Sequence, residues 1–312
     1  MKPRVIKIAK VPDSLTQQLS ERFALEDVGP NPDPARLEAV APGARALVAN
    51  GESVVSEGLI AALPDLQLIA VCGVGYDGVN VAAAKARGIQ VTNTPNVLTD
   101  DVADLAIGLL IATSRQLNRA DRHVRDGRWP SGAYPLTRKV SGSRLGIVGL
   151  GRIGSAVAHR ATAFGMEIAY HNRRRRADVP YRYADTLLQL AASVDVLIVC
   201  AQGGAHTRHL INAEVIEALG PTGILINVGR GSIVDEAAVA AALRDGKLGG
   251  AGLDVFEREP HVLPALLDCP NTVLTPHVGS ATASTRKAMG DLVLANLEAH
   301  FAGHALVTPV SG

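Results

Sequence analysis

The sequence predicts an α/β protein built on parallel sheets, and three observations carry that prediction. Short apolar runs alternate with helical patterns along most of the chain, as strand–helix–strand crossovers require. One of those runs, Leu145, Ile147 and Val148, opens into Gly149, Gly151 and Gly154 at the G-x-G-x-x-G spacing, and Ser155 to Arg160 then continue as a helix. With 312 residues the chain has room for two domains, each with its own core.

Taken in order, Val5 to Ala9 alternates as a strand, Leu15 to Phe23 has helical spacing, and Pro30, Pro32 and Pro34 punctuate a loop. Ala46 to Ala49 is a strand entering Asn50-Gly51, and Val54 to Leu63 a helix ending at Pro64. Leu68 to Val71 is a strand, Val81 to Ala86 a helix closed by Gly88, and Ile89 to Val91 a further strand. Asp100 to Asp126 reads as one long helix. Its Leu105, Ile107, Leu109, Leu110 and Ile111 are apolar nearly all round, which predicts burial between domains or between subunits. Beyond the glycine turn, strands are expected at Met166–Tyr170, Val194–Val199, Gly223–Val228, Ala251–Val255 and Val273–Thr275. Helices are expected at Ala213–Leu219, Val234–Leu243 and Asp291–His300. The residues after His277 are too few for another domain. They should pack back onto the first one and make it discontinuous.

The three glycines each have a physical role in a dinucleotide turn, namely a tight bend, close approach of backbone to a pyrophosphate, and close helix–strand packing. The phosphates would rest on the helix N-terminus, where unpaired N–H groups and the macrodipole favour anions. Asn172 stands where a NAD-binding unit places Asp or Glu for the ribose 2′-hydroxyl, and Arg173, Arg174, Arg175 and Arg176 follow it. A carboxylate would repel a 2′-phosphate, whereas guanidinium groups bind one bidentately. The expected cofactor is therefore NADP(H), with NAD(H) as the weaker alternative.

A hydrophobic content of 47% and a net charge of +1 describe an ordinary globular protein and give no sign of a general nucleic-acid or membrane-surface binder. The first eight residues are charged throughout and lack the apolar core of a signal peptide, and no apolar run reaches a membrane span. Cys72, Cys200 and Cys269 are odd in number and widely spaced, which suits reduced thiols in a cytoplasm. No metal is expected. His206 and His209 have no cysteine or acid beside them in the sequence, and His300 and His304 only bracket a helix-ending Gly303.

Three strand ends carry titratable residues: Asn227-Val228-Gly229-Arg230-Gly231, Asp254-Val255-Phe256-Glu257-Arg258-Glu259-Pro260 and Pro276-His277-Val278-Gly279-Ser280. In open parallel sheets, ligands bind outside the carboxyl ends of the strands. That places Arg230, Glu259 and His277 on the edge that faces a nicotinamide. These segments, with Gly73-Val74-Gly75-Tyr76-Asp77, Val91-Thr92-Asn93-Thr94-Pro95, Asp101-Val102-Ala103-Asp104 and the glycine turn, resemble the D-2-hydroxyacid dehydrogenase family over nearly the whole chain. The Asn172 and arginine run is most similar to the NADPH-dependent glyoxylate/hydroxypyruvate and hydroxyphenylpyruvate reductases of that family.

The resemblance implies two Rossmann-like, doubly wound domains: a substrate domain of 1–98 with 281–312, and a dinucleotide domain of 99–280. It implies that Arg230 holds a 2-oxo acid, that His277 gives the proton to its carbonyl oxygen, and that Glu259 orients and charges the imidazole. Val74 and Gly75 would offer backbone N–H groups to the substrate carboxylate, and Asp254 would face the nicotinamide carboxamide. Cofactor contacts are implied at Gly149, Gly151, Arg152, Ile153, Gly154, Asn172, Arg173, Arg174 and Val228. A homodimer is implied too, with Trp129 reaching towards the partner. The sequence departs from the family at Gly78 and Asn80, which replace Asn and Asp, and at Ala201–Thr207, which lacks the usual proline. Asn80 can still cap the following helix. Two other readings stand beside the reductase: a dinucleotide-sensing regulator of co-repressor type, for which the short termini leave little partner-binding extension, and a D-3-phosphoglycerate dehydrogenase. Formate dehydrogenase is disfavoured, because that branch carries glutamine where Glu259 stands.

Overall fold

The computed structural model describes residues 2–30, 32–40 and 42–310. The chain divides into two units, one formed by the residues up to Leu98 with those from Ala281 onward, the other by Thr99–Ser280. The first holds a five-stranded parallel sheet of β1 (Arg4–Lys7), β2 (Ala24–Asp27), β3 (Ala44–Asn50), β4 (Leu68–Cys72) and β5 (Gln90–Thr92), in the order β2-β1-β3-β4-β5. Its crossovers carry α1 (Asp13–Arg22), α2 (Pro34–Val40), α3 (Glu57–Ala61) and α4 (Val81–Ala86). β4 is buried along its whole length, as a central parallel strand covered on both faces should be. β2 carries no strand signal in the sequence because it is an edge strand, Ala24-Leu25-Glu26-Asp27, with no apolar run. The prolines read as loop punctuation include Pro34, which begins α2, a position where a missing N–H costs nothing. Asn80 caps α4, its Oδ1 accepting from the Ala83 N–H at 3.0 Å. Gly78 is explained by space: a Cβ there would lie 2.3 Å from the Ser53 carbonyl oxygen.

The second unit begins with α5 (Thr99–Arg115) and α6 (Leu117–Arg125). Its sheet has seven parallel strands: β6 (Arg144–Val148), β7 (Glu167–His171), β8 (Arg182–Tyr183), β9 (Val196–Val199), β10 (Ile224–Asn227), β11 (Gly250–Leu253) and β12 (Thr272–Leu274). Their order is β12-β11-β10-β9-β6-β7-β8. The helices α7 (Arg152–Thr162), α8 (Leu187–Ala192), α9 (Ala213–Leu219), α10 (Glu236–Arg244) and α11 (Pro264–Leu267) connect them. One core joins Leu190, Leu197, Val199, Leu225, Val239 and Leu266, all completely buried.

The long helix predicted over 100–126 is two helices. Gln116, at φ 49°, takes the left-handed conformation and breaks it. The two halves also differ in burial, which corrects the expectation for the stretch. α5 buries Val102, Ala106, Leu109 and Leu110 inside its own unit, against α7, β10 and β11. Gly252 of β11 makes that approach possible, since a Cβ there would stand 2.9 Å from Thr113 Oγ1 and 3.2 Å from Leu109 Cβ. α6 buries no residue at all. Among the described residues, the exposed large apolar side chains Leu117, Val124, Trp129 and Leu136 fall in one stretch, on α6 and the segment after it, whereas Val54, Leu188, Leu267 and Val307 are scattered singly.

The last helix, α12 (Ala283–Phe301), lies in the first unit and packs on β4 and α1. Asn296, fully buried, secures the C-terminal segment beyond it. Its Nδ2 donates to Thr308 Oγ1 at 2.8 Å and its Oδ1 accepts from the N–H groups of Val307 and Thr308, each at 3.0 Å. Thr308 Oγ1 donates in turn to the Asn93 carbonyl at 2.7 Å, so that segment is tied to the end of β5. Among the described residues, no helix is long and apolar enough to cross a membrane.

Candidate active site

β6 delivers the chain to the point where the strand order reverses, with β7 and β8 on one side of it and β9 to β12 on the other. Ligands of open α/β sheets bind at such a point. The three glycines after β6 separate by cause. Gly149, at φ 93°, would place a Cβ 2.7 Å from Ala201 Cα, and Gly154 would place one 2.3 Å from the Gly149 carbonyl oxygen. Both are required by the fold. Gly151 is not: its backbone is extended, and a Cβ there would meet no atom within 4 Å among the described residues. Gly151 is also the N-cap of α7 and supplies no capping side chain, so the helix opens with uncapped N–H groups, those of Arg152 and Ile153 among them. Open space over an uncapped helix N-terminus fits the pyrophosphate of a dinucleotide. Val228, buried at the end of β10, donates its N–H to the Val199 carbonyl at 3.2 Å and lies on the same sheet edge.

The arginine run follows β7. Asn172 turns back onto the glycine turn, its Oδ1 accepting from the Leu150 N–H at 2.6 Å. Arg173, Arg174 and Arg175 are exposed. Arg176 is half-buried and donates through Nη1 to the Leu150 carbonyl at 3.1 Å and Ser155 Oγ at 2.9 Å. In the sequence the four arginines are equivalent; the structure separates the last from the other three.

The catalytic candidates come from loops after neighbouring strands. Arg230 follows β10 in a turn held by Asn227, whose Oδ1 accepts from Gly229 N–H and whose Nδ2 donates to the Arg230 carbonyl, each at 3.0 Å. Gly231 lets this turn lie against the next loop, because a Cβ there would fall 1.8 Å from the Phe256 carbonyl carbon. Glu259, in the loop after β11, accepts from Phe256 N–H at 2.9 Å through Oε1 and meets His277 Nδ1 at 2.7 Å through Oε2. His277 follows β12 with φ 52°, a left-handed conformation that costs energy for a residue other than glycine. Its N–H bonds to the carbonyls of Asp254, at 2.8 Å, and Thr275, at 3.0 Å.

Asp254 completes that turn. Its buried carboxylate accepts from Thr275 Oγ1 at 2.7 Å and Val278 N–H at 2.8 Å on Oδ1, and from Gly279 N–H at 2.9 Å on Oδ2. Three of about four lone-pair positions are thus spent on the strap that presents His277. Burial pushes the Asp254 carboxyl above its ordinary pKa despite those bonds. Glu259 goes the other way: burial raises it, but the His277 hydrogen bond and charge with the Phe256 N–H hold it below the usual range. The Glu259 hydrogen bond raises His277 above its ordinary value against the opposing effect of burial. The pair therefore favours carboxylate and imidazolium together.

In the first unit, Val74 and Gly75 follow β4. Asn93 Nδ2 donates to the Val74 carbonyl at 2.8 Å, and Thr94 N–H to the Gly73 carbonyl at 2.9 Å, so two motifs that stand apart in the sequence are bonded to each other. Among the described residues, the N–H groups of Val74 and Gly75 meet no acceptor. The sequence reading missed a brace behind Glu259. Glu236 Oε1 accepts from Glu257 N–H at 2.6 Å, while Glu257 Oε1 lies 3.0 Å from His209 Nε2. His209 thus has an acidic partner after all, one 48 residues away that no local spacing could reveal.

Residues 107–279 match the family described as D-isomer specific 2-hydroxyacid dehydrogenase, NAD binding domain. A hydroxyphenylpyruvate reductase of Plectranthus scutellarioides is 48% identical over 98% of this chain and 98% of its own. A glyoxylate/hydroxypyruvate reductase A of Arabidopsis thaliana is 47% identical with the same coverage. The crystal structure of an NADPH-dependent glyoxylate/hydroxypyruvate reductase from Sinorhizobium meliloti, in complex with NADP and malonate, superposes with a TM-score of 0.95. It is 47% identical and covers 100% of this chain and 97% of that one.

The glycine turn yields a prediction that separates ligand from fold. Gly151→Ala adds a methyl to open space and, at an N-cap where Ala is the poorer residue, should cost no more than about 1 kcal/mol, yet weaken dinucleotide binding. Gly154→Ala forces the helix off the strand and should cost about 1–3 kcal/mol. Thermal denaturation beside a cofactor titration reads both; a large stability loss in Gly151→Ala would mean that the fold, not the ligand, needs that glycine.

Proposed function

The chain belongs to the D-isomer specific 2-hydroxyacid dehydrogenase family, and from that premise we propose that it uses NADPH to reduce a small 2-oxo acid, such as glyoxylate or hydroxypyruvate, to the D-2-hydroxy acid. The observation that carries the reading is the 2.7 Å pairing of His277 Nδ1 with Glu259, on the sheet edge that also holds the dinucleotide turn and Arg230. When bound, the reduced nicotinamide supplies a hydride to the substrate carbonyl carbon. Oxygen then develops alkoxide character, and a proton donor beside it lowers the barrier. His277 fits that role, because Glu259 engages Nδ1 and favours the imidazolium, so the transferred proton is held at Nε2. In oxidation the same nitrogen takes the proton back.

Arg230 would hold the carboxylate and carbonyl oxygens with a planar fork that lysine lacks. Val74 and Gly75 would offer their N–H groups to the carboxylate. Asp254 positions the His277 turn and keeps one lone pair of Oδ2 for the carboxamide. Gly149, Gly151, Arg152, Ile153, Gly154 and Val228 would line the dinucleotide, and Arg173 and Arg174 would receive the 2′-phosphate. Asn172, whose Oδ1 is engaged by Leu150, would serve the cofactor by shaping the turn. The NADP carried by the Sinorhizobium meliloti relative supports the choice of cofactor. A cytoplasmic homodimer completes the reading. The dimer is supported by Leu117 and Val124 on α6 with Trp129, 64% exposed, since large exposed apolar residues in one stretch mark interfaces.

A panel of 2-oxo acids assayed with NADPH and NADH tests the proposal directly. Within it, Arg173→Ala with Arg174→Ala should weaken NADPH binding roughly 10- to 150-fold and leave NADH nearly unchanged; equal losses would show that these arginines do not read the phosphate. Glu259→Gln keeps the shape and removes the charge that raises His277. Reduction needs imidazolium, so its rate falls as pH rises through the raised pKa, and in Glu259→Gln that limb should move to lower pH. Unmoved pH–rate profiles would refute the coupling. Light scattering at micromolar concentration should report a dimer, and Val124→Glu on α6 should shift it to monomer.

A further inference from the structure

The run Arg173–Arg176 is suspended between two anchors, and the last arginine is one of them. At the near end, Asn172 Oδ1 accepts from the Leu150 N–H at 2.6 Å, and Tyr183 Oη donates to the Asn172 carbonyl at 3.0 Å. At the far end, the hydroxyl of the fully buried Tyr170 accepts from the Arg176 N–H at 2.9 Å and donates to the Arg176 carbonyl at 3.0 Å. The Arg176 guanidinium then reaches the glycine turn, with Nη1 on the Leu150 carbonyl at 3.1 Å and on Ser155 Oγ at 2.9 Å. Its Nε donates to Asp178 Oδ1 at 3.0 Å and its Nη2 to Asp178 Oδ2. Leu150, the residue between the first two glycines of the motif, therefore has its N–H held by one end of the loop and its carbonyl by the other.

We propose that Arg176 is a positioning residue for cofactor selection, which fixes the loop carrying Arg173, Arg174 and Arg175 onto the dinucleotide turn and does not itself contact the 2′-phosphate. The proposal rests on the reading that Arg173 and Arg174 receive that phosphate. Four of the five N–H donors of Arg176 are already engaged, and Asp178 compensates its charge, so it has little left to offer a dianion. Arg173, Arg174 and Arg175 are exposed and make no hydrogen bond or ion pair among the described residues. A loop pinned at both ends presents those three with its backbone already ordered, and ordering completed before binding is not charged against affinity. The 2′-phosphate is the one part of NADP+ that NAD+ lacks, so the effect falls on selectivity.

The test exploits the difference between lysine and arginine. Arg176→Lys keeps the positive charge but cannot span Leu150, Ser155 and Asp178 with one planar fork. Dissociation constants of NADP+ and NAD+ would be measured by calorimetry for the wild type, Arg176→Lys, Arg176→Gln and Ser155→Ala, with thermal melting to confirm folding. The expected result is a wild type that prefers NADP+, and a rise of about tenfold (about 1.4 kcal/mol) in the NADP+ constant for both Arg176 variants. The NAD+ constant should stay within about twofold of wild type. Ser155→Ala, which removes one bond of the fork and little volume, should move selectivity the same way by about threefold. Wild-type selectivity in Arg176→Lys would overturn the proposal, because charge alone would then suffice. Equal weakening of both cofactors would overturn it as well, because the clamp would then serve the pyrophosphate turn alone. A wild type that does not distinguish NADP+ from NAD+ would instead remove the underlying reading of Arg173 and Arg174.

Discussion

Parallel strand pairing is the constraint on which the rest of this molecule depends. A parallel strand cannot be reached by a tight hairpin, so every connection in the seven-stranded sheet crosses back over a face and re-enters from the same end. All carboxyl ends then open on one edge. The loops after β6, β10, β11 and β12 come from positions far apart in the sequence, yet the topology alone brings them to that edge. At that edge the backbone leaves hydrogen-bonded order without being buried, and there the chain places its glycine turn, Arg230, Glu259 and His277.

At that edge, burial and hydrogen bonding compete for each carboxylate, with different outcomes. Asp254 is buried more completely than its three donors can offset, and its carboxyl is raised. Glu259 has a cation for a partner, and its carboxyl is lowered although burial opposes this. Two acids five residues apart thus hold different offices: one straps the His277 turn in its strained conformation, the other sets the charge of the ring. Glu236, also raised by burial, braces the same loop through the Glu257 N–H. The imidazole is held at both its backbone and its Nδ1, which in the proposed reaction would limit reorganisation.

Much of this was legible in the sequence, and the remainder was hidden for physical reasons. Apolar runs such as Leu68–Val71 and Val194–Val199 declared themselves because a strand buried on both faces is apolar throughout. β2 and β8 did not, because edge strands have one solvated side and their sequences, Ala24-Leu25-Glu26-Asp27 and Arg182-Tyr183, carry no pattern. The break at Gln116 was invisible for another reason: a left-handed residue other than glycine or asparagine leaves no compositional mark. Among site residues, the motif glycines and the titratable strand ends were readable by type and spacing. The brace of Glu236, Glu257 and His209 and the clamp of Arg176 were not, since each joins residues that only the folded chain brings together. Tyr170 could have been suspected, because a tyrosine inside a buried strand needs a partner for its hydroxyl.

The residues proposed to meet ligands differ, within each of the two units, in whether the protein itself uses up their capacity. Gly149, Gly154 and Gly231 are glycine because neighbouring backbone leaves no room, so the fold explains them fully. Asn172 through its Oδ1, Arg176 through four of its five donors and most of the Asp254 carboxylate are engaged with other parts of the chain. Gly151 has open space the fold does not need, α7 opens without a side-chain cap, and the Val74 and Gly75 N–H groups meet no acceptor among the described residues. Arg173, Arg174 and Arg175 stand in the same class. Each of these groups is a donor, a cation or a space where an anion can come close, which is the chemistry the proposed anionic dinucleotide and carboxylate substrate would use.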